Sequence, residues 1–175
     1  MRVGIEPVQR LGSLELLDRG ALRSRRAVAW CSGLPTTVGE RELAVVRSEL
    51  GWSDNECRLE QVRDAAGPGN AITLQIETDH LTAVFSGIGE PGRRAEQVAR
   101  SATQAAATWL KSGVPVDEHL TDQLLLPMAL GEGGRFRTAA SSSHALTNAE
   151  VIRRFLGREI RYEASGNSMI CHVGS

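Results

Sequence analysis

The chain has 175 residues, 41% hydrophobic and 23% charged, enough for one domain or two small ones, each with a real core. A net charge of −1 excludes any bulk electrostatic pull toward nucleic acid or membrane, so an RNA contact needs a local basic cluster. Arginine supplies almost all the positive charge, Lys111 being the only lysine. Guanidinium groups suit bidentate phosphate contacts, although coding-sequence composition produces the same bias. Aromatic residues are only 4%, so Leu, Val, Ile and Ala must build the core.

In chain order, residues 2–9 and 13–18 read as short strands, and 22–26 (LRSRR) as a polar, basic break. Residues 27–31 (AVAWC) read as a buried strand. Thr36 or Thr37 opens a helix that stops at Gly51, with Leu43, Val46 and Leu50 on one face. A strand near 57–62 and a tight loop at 65–70 follow. Residues 71–78 alternate strictly, with Ile72, Leu74 and Ile76 on one face, which predicts a strand hairpinned through Asp79-His80 to a second one over 81–88. A helix spans about 93–111, its stripe formed by Val98, Ala102, Ala105, Ala106 and Trp109.

The last third begins with a leucine-rich helical stretch, 116–130, that Pro127 ends or kinks. GEGG at 131–134 breaks it before a short strand, RFRTA. SSSHALTN is a polar connector, and Thr147 with Glu150 forms a capping box that opens a helix through Leu156. Strands over 158–164 and 168–173 close the chain. The class is α/β of the α+β type, in two-layer units. The domains are an inserted one at 21–113 and a second from 114–175, joined by residues 1–20.

Cys31, Cys57 and Cys171 are odd in number and form no C-x-x-C pair, which predicts reduced thiols in a cytoplasmic protein rather than a zinc site or disulfides. MRVGIEPVQR has no signal-peptide core, and Leu124–Leu130 is too short to span a bilayer.

Residues 87–92 match G-x-G-x-x-G between a strand and a helix, with Asp117 downstream as a ribose acid. A nicotinamide dinucleotide site is disfavoured, because the preceding strand lies in an antiparallel hairpin and Pro91 stiffens the loop. His80 falls in a turn and His172 near the terminus. His119 and Asp122 share a helix face, as residues three apart do, but two ligands do not make a metal site, and none is assigned. His144 lies just ahead of a helix start, where free N–H groups and a positive end favour phosphate.

Residues 119–130 (HLTDQLLLPMAL) and 144–152 (HALTNAEVI), with their spacing, resemble segments of the RNA 3'-terminal phosphate cyclases. Leu16-Leu17-Asp18-Arg19-Gly20, Glu40-Arg41-Glu42 and Gly67-Pro68-Gly69-Asn70 fall in that family's order. The resemblance implies an inserted α/β domain and the terminal piece of a larger domain built from repeated α/β units. It implies a nucleotidyl-transferring ligase that uses ATP with Mg²⁺ or Mn²⁺ on an RNA 3'-phosphate end. His144 matches the nucleophile that carries AMP, and histidine, titrating near neutrality, is suited to that role. Asp122 would orient His144 or the nucleotide, and Gln123 would contact the nucleotide. His119 stands where an adenine-stacking aromatic is expected. Thr147 and Asn148 are expected to cap the helix.

The family's glycine-rich signature is expected ahead of residue 1. The chain is therefore expected to need a separate N-terminal half, or a homo-oligomer, to complete the pocket. Two other classes stay open: a non-catalytic relative acting in RNA or ribosome assembly, which lacks the nucleophile, and a nucleotide-binding oxidoreductase.

Overall fold

A computed structural model describes residues 3–174. The chain divides into two compact units, Gly20–Ser112 and a second formed by the chain up to Arg19 and from Gly113 onward. Each has one four-stranded sheet, and each has two of the four α-helices found among the described residues. The class is mixed α/β, as the alternation of short strand and helix patterns requires.

The unit Gly20–Ser112 contains β2 (Leu22–Ser32), α1 (Thr36–Leu50), a 3-10 turn (Asp54–Glu56), β3 (Cys57–Gln61), β4 (Gly69–Thr78), β5 (Thr82–Ile88) and α2 (Ala95–Ser112). Its sheet runs β3-β2-β4-β5, with β2 parallel to β3 and the other pairings antiparallel. Period-2 alternation sends Ala27, Ala29, Ile72, Leu74, Ile76 and Phe85 to one face, where Leu43 and Val46 of α1 and Val98, Ala102 and Trp109 of α2 cover them.

The basic stretch LRSRR is the first half of β2, not a break. Arg23 pairs with Asp79 across the sheet, and Ser24 donates to Glu77 at 2.8 Å. Arg25 reaches Glu56 at 2.5 Å and stacks 5.7 Å from the Trp52 ring. The acidic partners lie 31 to 56 residues away, so a local sequence window cannot reveal them.

The other unit contains β1 (Leu14–Leu16), α3 (Glu118–Leu130), β6 (Gly134–Thr138), α4 (Ser143–Leu156), β7 (Ile160–Ser165) and β8 (Ser168–Val173). The sheet order is β1-β6-β8-β7, with β1 parallel to β6 and β8 antiparallel to both neighbours. Phe136, Cys171 and Val173 face Leu125, Met128, Ala129, Ala145 and Ile152 of the helices. Pro127 lies inside α3, three residues from its end, and does not stop it.

Three local readings are corrected. The strand expected over 2–9 is absent from the described residues 3–9, where Val3, Ile5 and Val8 stay exposed and pair with nothing. His172 is not in a frayed end but in β8, with Nε2 3.2 Å from Glu163 Oε2 on β7. The last helix starts at Ser143 rather than at Thr147, because Ser142 Oγ accepts the Ala145 N–H at 3.1 Å as N-cap. Thr147 Oγ1 instead donates to Ser143 O at 2.8 Å, and Glu150 binds Arg153 and Arg154.

Candidate active site

Both helices of the second unit start at the same end of the sheet. Val116 bridges Thr138 in parallel at the end of β6, and Asp117 then caps α3, accepting the Leu120 N–H at 2.7 Å. Ser142, four residues after Thr138, caps α4. Thr121 of α3 donates to Thr138 at 2.9 Å and ties that first turn to the strand end. Two helix N-termini, each with unpaired N–H groups and a positive end, therefore converge there.

His119 and His144 occupy equivalent positions, the second residue of the first turn of α3 and of α4. Both are exposed, as is Gln123, while Asp122 is half-buried. His119, Asp122 and Gln123 lie on the outward side of α3, opposite the buried Thr121 and Leu125. His144 lies on the matching side of α4, one residue before the buried Ala145. The starting turn of α4 thus carries His144 on the helix itself rather than in a loop ahead of it.

The link between the helices is Asn148. Its Nδ2 donates to Asp122 Oδ1 at 3.0 Å and to Asp122 O at 3.2 Å. Asn148 therefore does not cap the helix but holds the carboxylate expected to orient His144 or nucleotide. Among the described residues no hydrogen bond joins Asp122 to His144. The signal for Asn148 was present in the sequence, since it lies four residues after His144 and shares its helix side. Beneath the helices, burial pushes the Tyr162 phenol above its ordinary range, with neighbouring Cys171 and Asp122 adding to the shift. The Tyr162 hydroxyl stays protonated and buried.

The site's donor set suits an anion such as a polyphosphate: two helix N-termini, two imidazoles and an amide. Asp122 is engaged by Asn148, and no group of three His, Cys, Asp or Glu forms a metal site among the described residues. Asp117, the acid considered for ribose, is spent on capping α3.

The glycine pattern at 87–92 has a packing explanation. A Cβ on Gly87 would run into the Val98 carbonyl of α2, and one on Gly89 into Asn70 Oδ1. Asn70 in turn donates to the fully buried Glu42 at 2.5 Å. The preceding strand, β5, is an edge strand antiparallel to β4, unlike the first strand of a parallel dinucleotide-binding unit.

Fold and site together describe a two-unit α/β protein with an exposed histidine in a capped first turn. A family profile described as the RNA 3'-terminal phosphate cyclase insert domain matches residues 17–111. An RNA 3'-terminal phosphate cyclase of Pseudomonas aeruginosa (strain LESB58) is 48% identical over 82% of this chain and 42% of its own length. Those of Koribacter versatilis and Salmonella typhimurium are 43% and 37% identical over 87% and 97% of the chain, and 43% and 49% of their own lengths. The chain belongs to the RNA 3'-terminal phosphate cyclase family. It spans less than half the length of these relatives. No helix among the described residues is long and apolar enough to cross a membrane.

Proposed function

We propose that this chain supplies the adenylylated histidine of an ATP-dependent, cytoplasmic RNA 3'-phosphate cyclase. The observation that carries the reading is the exposed His144 in the capped first turn of α4, beside the first turn of α3. A nucleophile there faces an anion that both helix ends attract.

An imidazole nitrogen of His144 attacks the α-phosphorus of ATP, a P–N bond forms, and the α–β anhydride breaks to release pyrophosphate. An oxygen of the RNA 3'-phosphate then takes the AMP as the P–N bond breaks. The neighbouring 2'-hydroxyl attacks the activated phosphate and loses its proton, giving the 2',3'-cyclic phosphate and free AMP. Helix N–H groups and Gln123 hold phosphate or nucleotide, His119 stacks on the base, and Asn148 fixes Asp122 in line with them. Mg²⁺ or Mn²⁺ enters as counter-ion of the triphosphate, with no residue of this chain assigned to it.

The relatives' greater length supports a pocket completed by further sequence, as an N-terminal half would supply. The non-catalytic alternative is disfavoured by the presence of His144. The test is incubation with α-labelled ATP and Mg²⁺ or Mn²⁺, with and without an N-terminal fragment of a relative. Acid-labile, alkali-stable label that disappears in His144→Ala is expected. Absence of label with both pieces folded overturns the proposal.

A further inference from the structure

The unit Gly20–Ser112 covers one face of its sheet with α1 and α2 and leaves the other open. The register sets out that open face in rows. Glu60, Trp30, Ala71 and Ile88 form one, Arg58, Val28, Thr73 and Ser86 the next, and Arg26, Gln75 and Val84 the third. We propose that this face binds a single-stranded RNA segment, with Trp30 as the platform on which a base stacks. The inference rests on the proposed function for the identity of the substrate.

Trp30 is 40% exposed, whereas Trp52 and Trp109 are 3% exposed. An exposed indole in the second strand of a four-stranded sheet contributes nothing to the core on the other face. Its Nε1 donates to Thr73 Oγ1 at 3.1 Å, diagonally across β4. The small Ala71 directly opposite leaves room for the ring to lean that way. The indole is therefore fixed before any ligand arrives, which lowers the ordering cost of stacking.

Its surroundings fit a nucleic-acid strand. Val84 and Ile88 on β5 are 60% and 66% exposed and extend the apolar floor. Thr73, Gln75 and Ser86 offer hydroxyl and amide groups to base edges. Arg26 lies along the same face for a phosphate. The carboxylates present are already engaged, Glu60 by Arg58 and Glu77 by Ser24. Arg26 makes no ion pair with any described residue, which leaves its charge to a phosphate. Trp30 and Arg26 are four residues apart on β2, roughly 13 Å, a span of a few nucleotides. A sheet carrying an aromatic platform suits unpaired bases, whose faces are free, and not a duplex, whose bases are already stacked. A 3' end presents such a strand.

The test uses the intact chain and an unstructured ten-nucleotide RNA ending in a 3'-phosphate. Because the other two tryptophans are buried, quenching of indole emission on titration reports Trp30. Saturable quenching is expected; fluorescence anisotropy of the same RNA carrying a 5' dye gives the variants' affinities, weakened about 5- to 100-fold in Trp30→Ala and largely kept in Trp30→Phe. Arg26→Gln is expected to lower the slope of log affinity against log salt by about 0.7. The ATP-labelling experiment uses no RNA and no residue of this sheet face, so this result and the labelling result fail independently. Unchanged RNA affinity in a folded Trp30→Ala, or no RNA binding at all, overturns the inference. So does a sedimenting dimer that Trp30→Ala converts to monomer, because the face then belongs to a second copy.

Discussion

Replacing Asn148 by alanine removes the two bonds that fix Asp122. A hydrogen bond to a charged group contributes about 1.5–3 kcal/mol when dry. Asp122 is half-buried, so water replaces part of the loss and about 1 kcal/mol remains. In a domain of roughly 60–100 residues that lowers Tm by about 4–8 °C. Asn148→Asp should cost more, because it turns a donor into a carboxylate facing Asp122. In a double-mutant cycle, Asn148→Ala with Asp122→Ala should give a coupling of about 1 kcal/mol. Thermal and urea melts followed by far-UV circular dichroism measure all five proteins. Zero coupling, or an Asn148→Asp protein as stable as the parent, refutes the reasoning that this amide holds the carboxylate.

Three further outcomes are expected. The ion pair with Arg25, followed by the Ser53 backbone N–H, holds the Glu56 carboxyl at about 2, below its ordinary 4.5. The folded pKa is depressed, so this stabilisation is present above about pH 4.5 and is lost as pH falls through about 2. Glu56→Gln should flatten that acid limb and cost about 1 kcal/mol at pH 7, read from urea melts at several pH values. Gly87→Ala and Gly89→Ala should each destabilise by about 1–3 kcal/mol through overpacking, visible as lower melting temperatures, and a neutral result would mean the loops have slack. Burial raises the Cys31 and Cys57 thiols and pushes Cys171 up to about 12. A thiol reagent at pH 8 should therefore label the native chain slowly and the unfolded chain fully. Rapid labelling of Cys171 in the native protein would contradict its burial.

Much of the fold was legible because it is written in short periods. The alternation of Ile72, Leu74 and Ile76 announces β4, and the stripe through Val98, Ala102 and Trp109 announces α2. The family was legible too, since the segments at 119–130 and 144–152 lie within single helices and keep their spacing. Local pattern failed where distant groups decide. The arginines of LRSRR read as a break because each looks costly alone, yet Asp79 and Glu56 neutralise Arg23 and Arg25 and make a strand of them.

The sequence of the last helix suggests one start, a capping box from Thr147 to Glu150. By itself it determined that a helix follows His144, and the family resemblance marked His144 as the candidate nucleophile. Tertiary structure chose Ser142, because that start buries Ala145 against the sheet and leaves Glu150 to pair with Arg153 and Arg154. The same choice put His144 in the first turn and turned Asn148 toward Asp122. Which side chains meet across two helices depends on how both pack on one strand end, and no local window of sequence contains that distance.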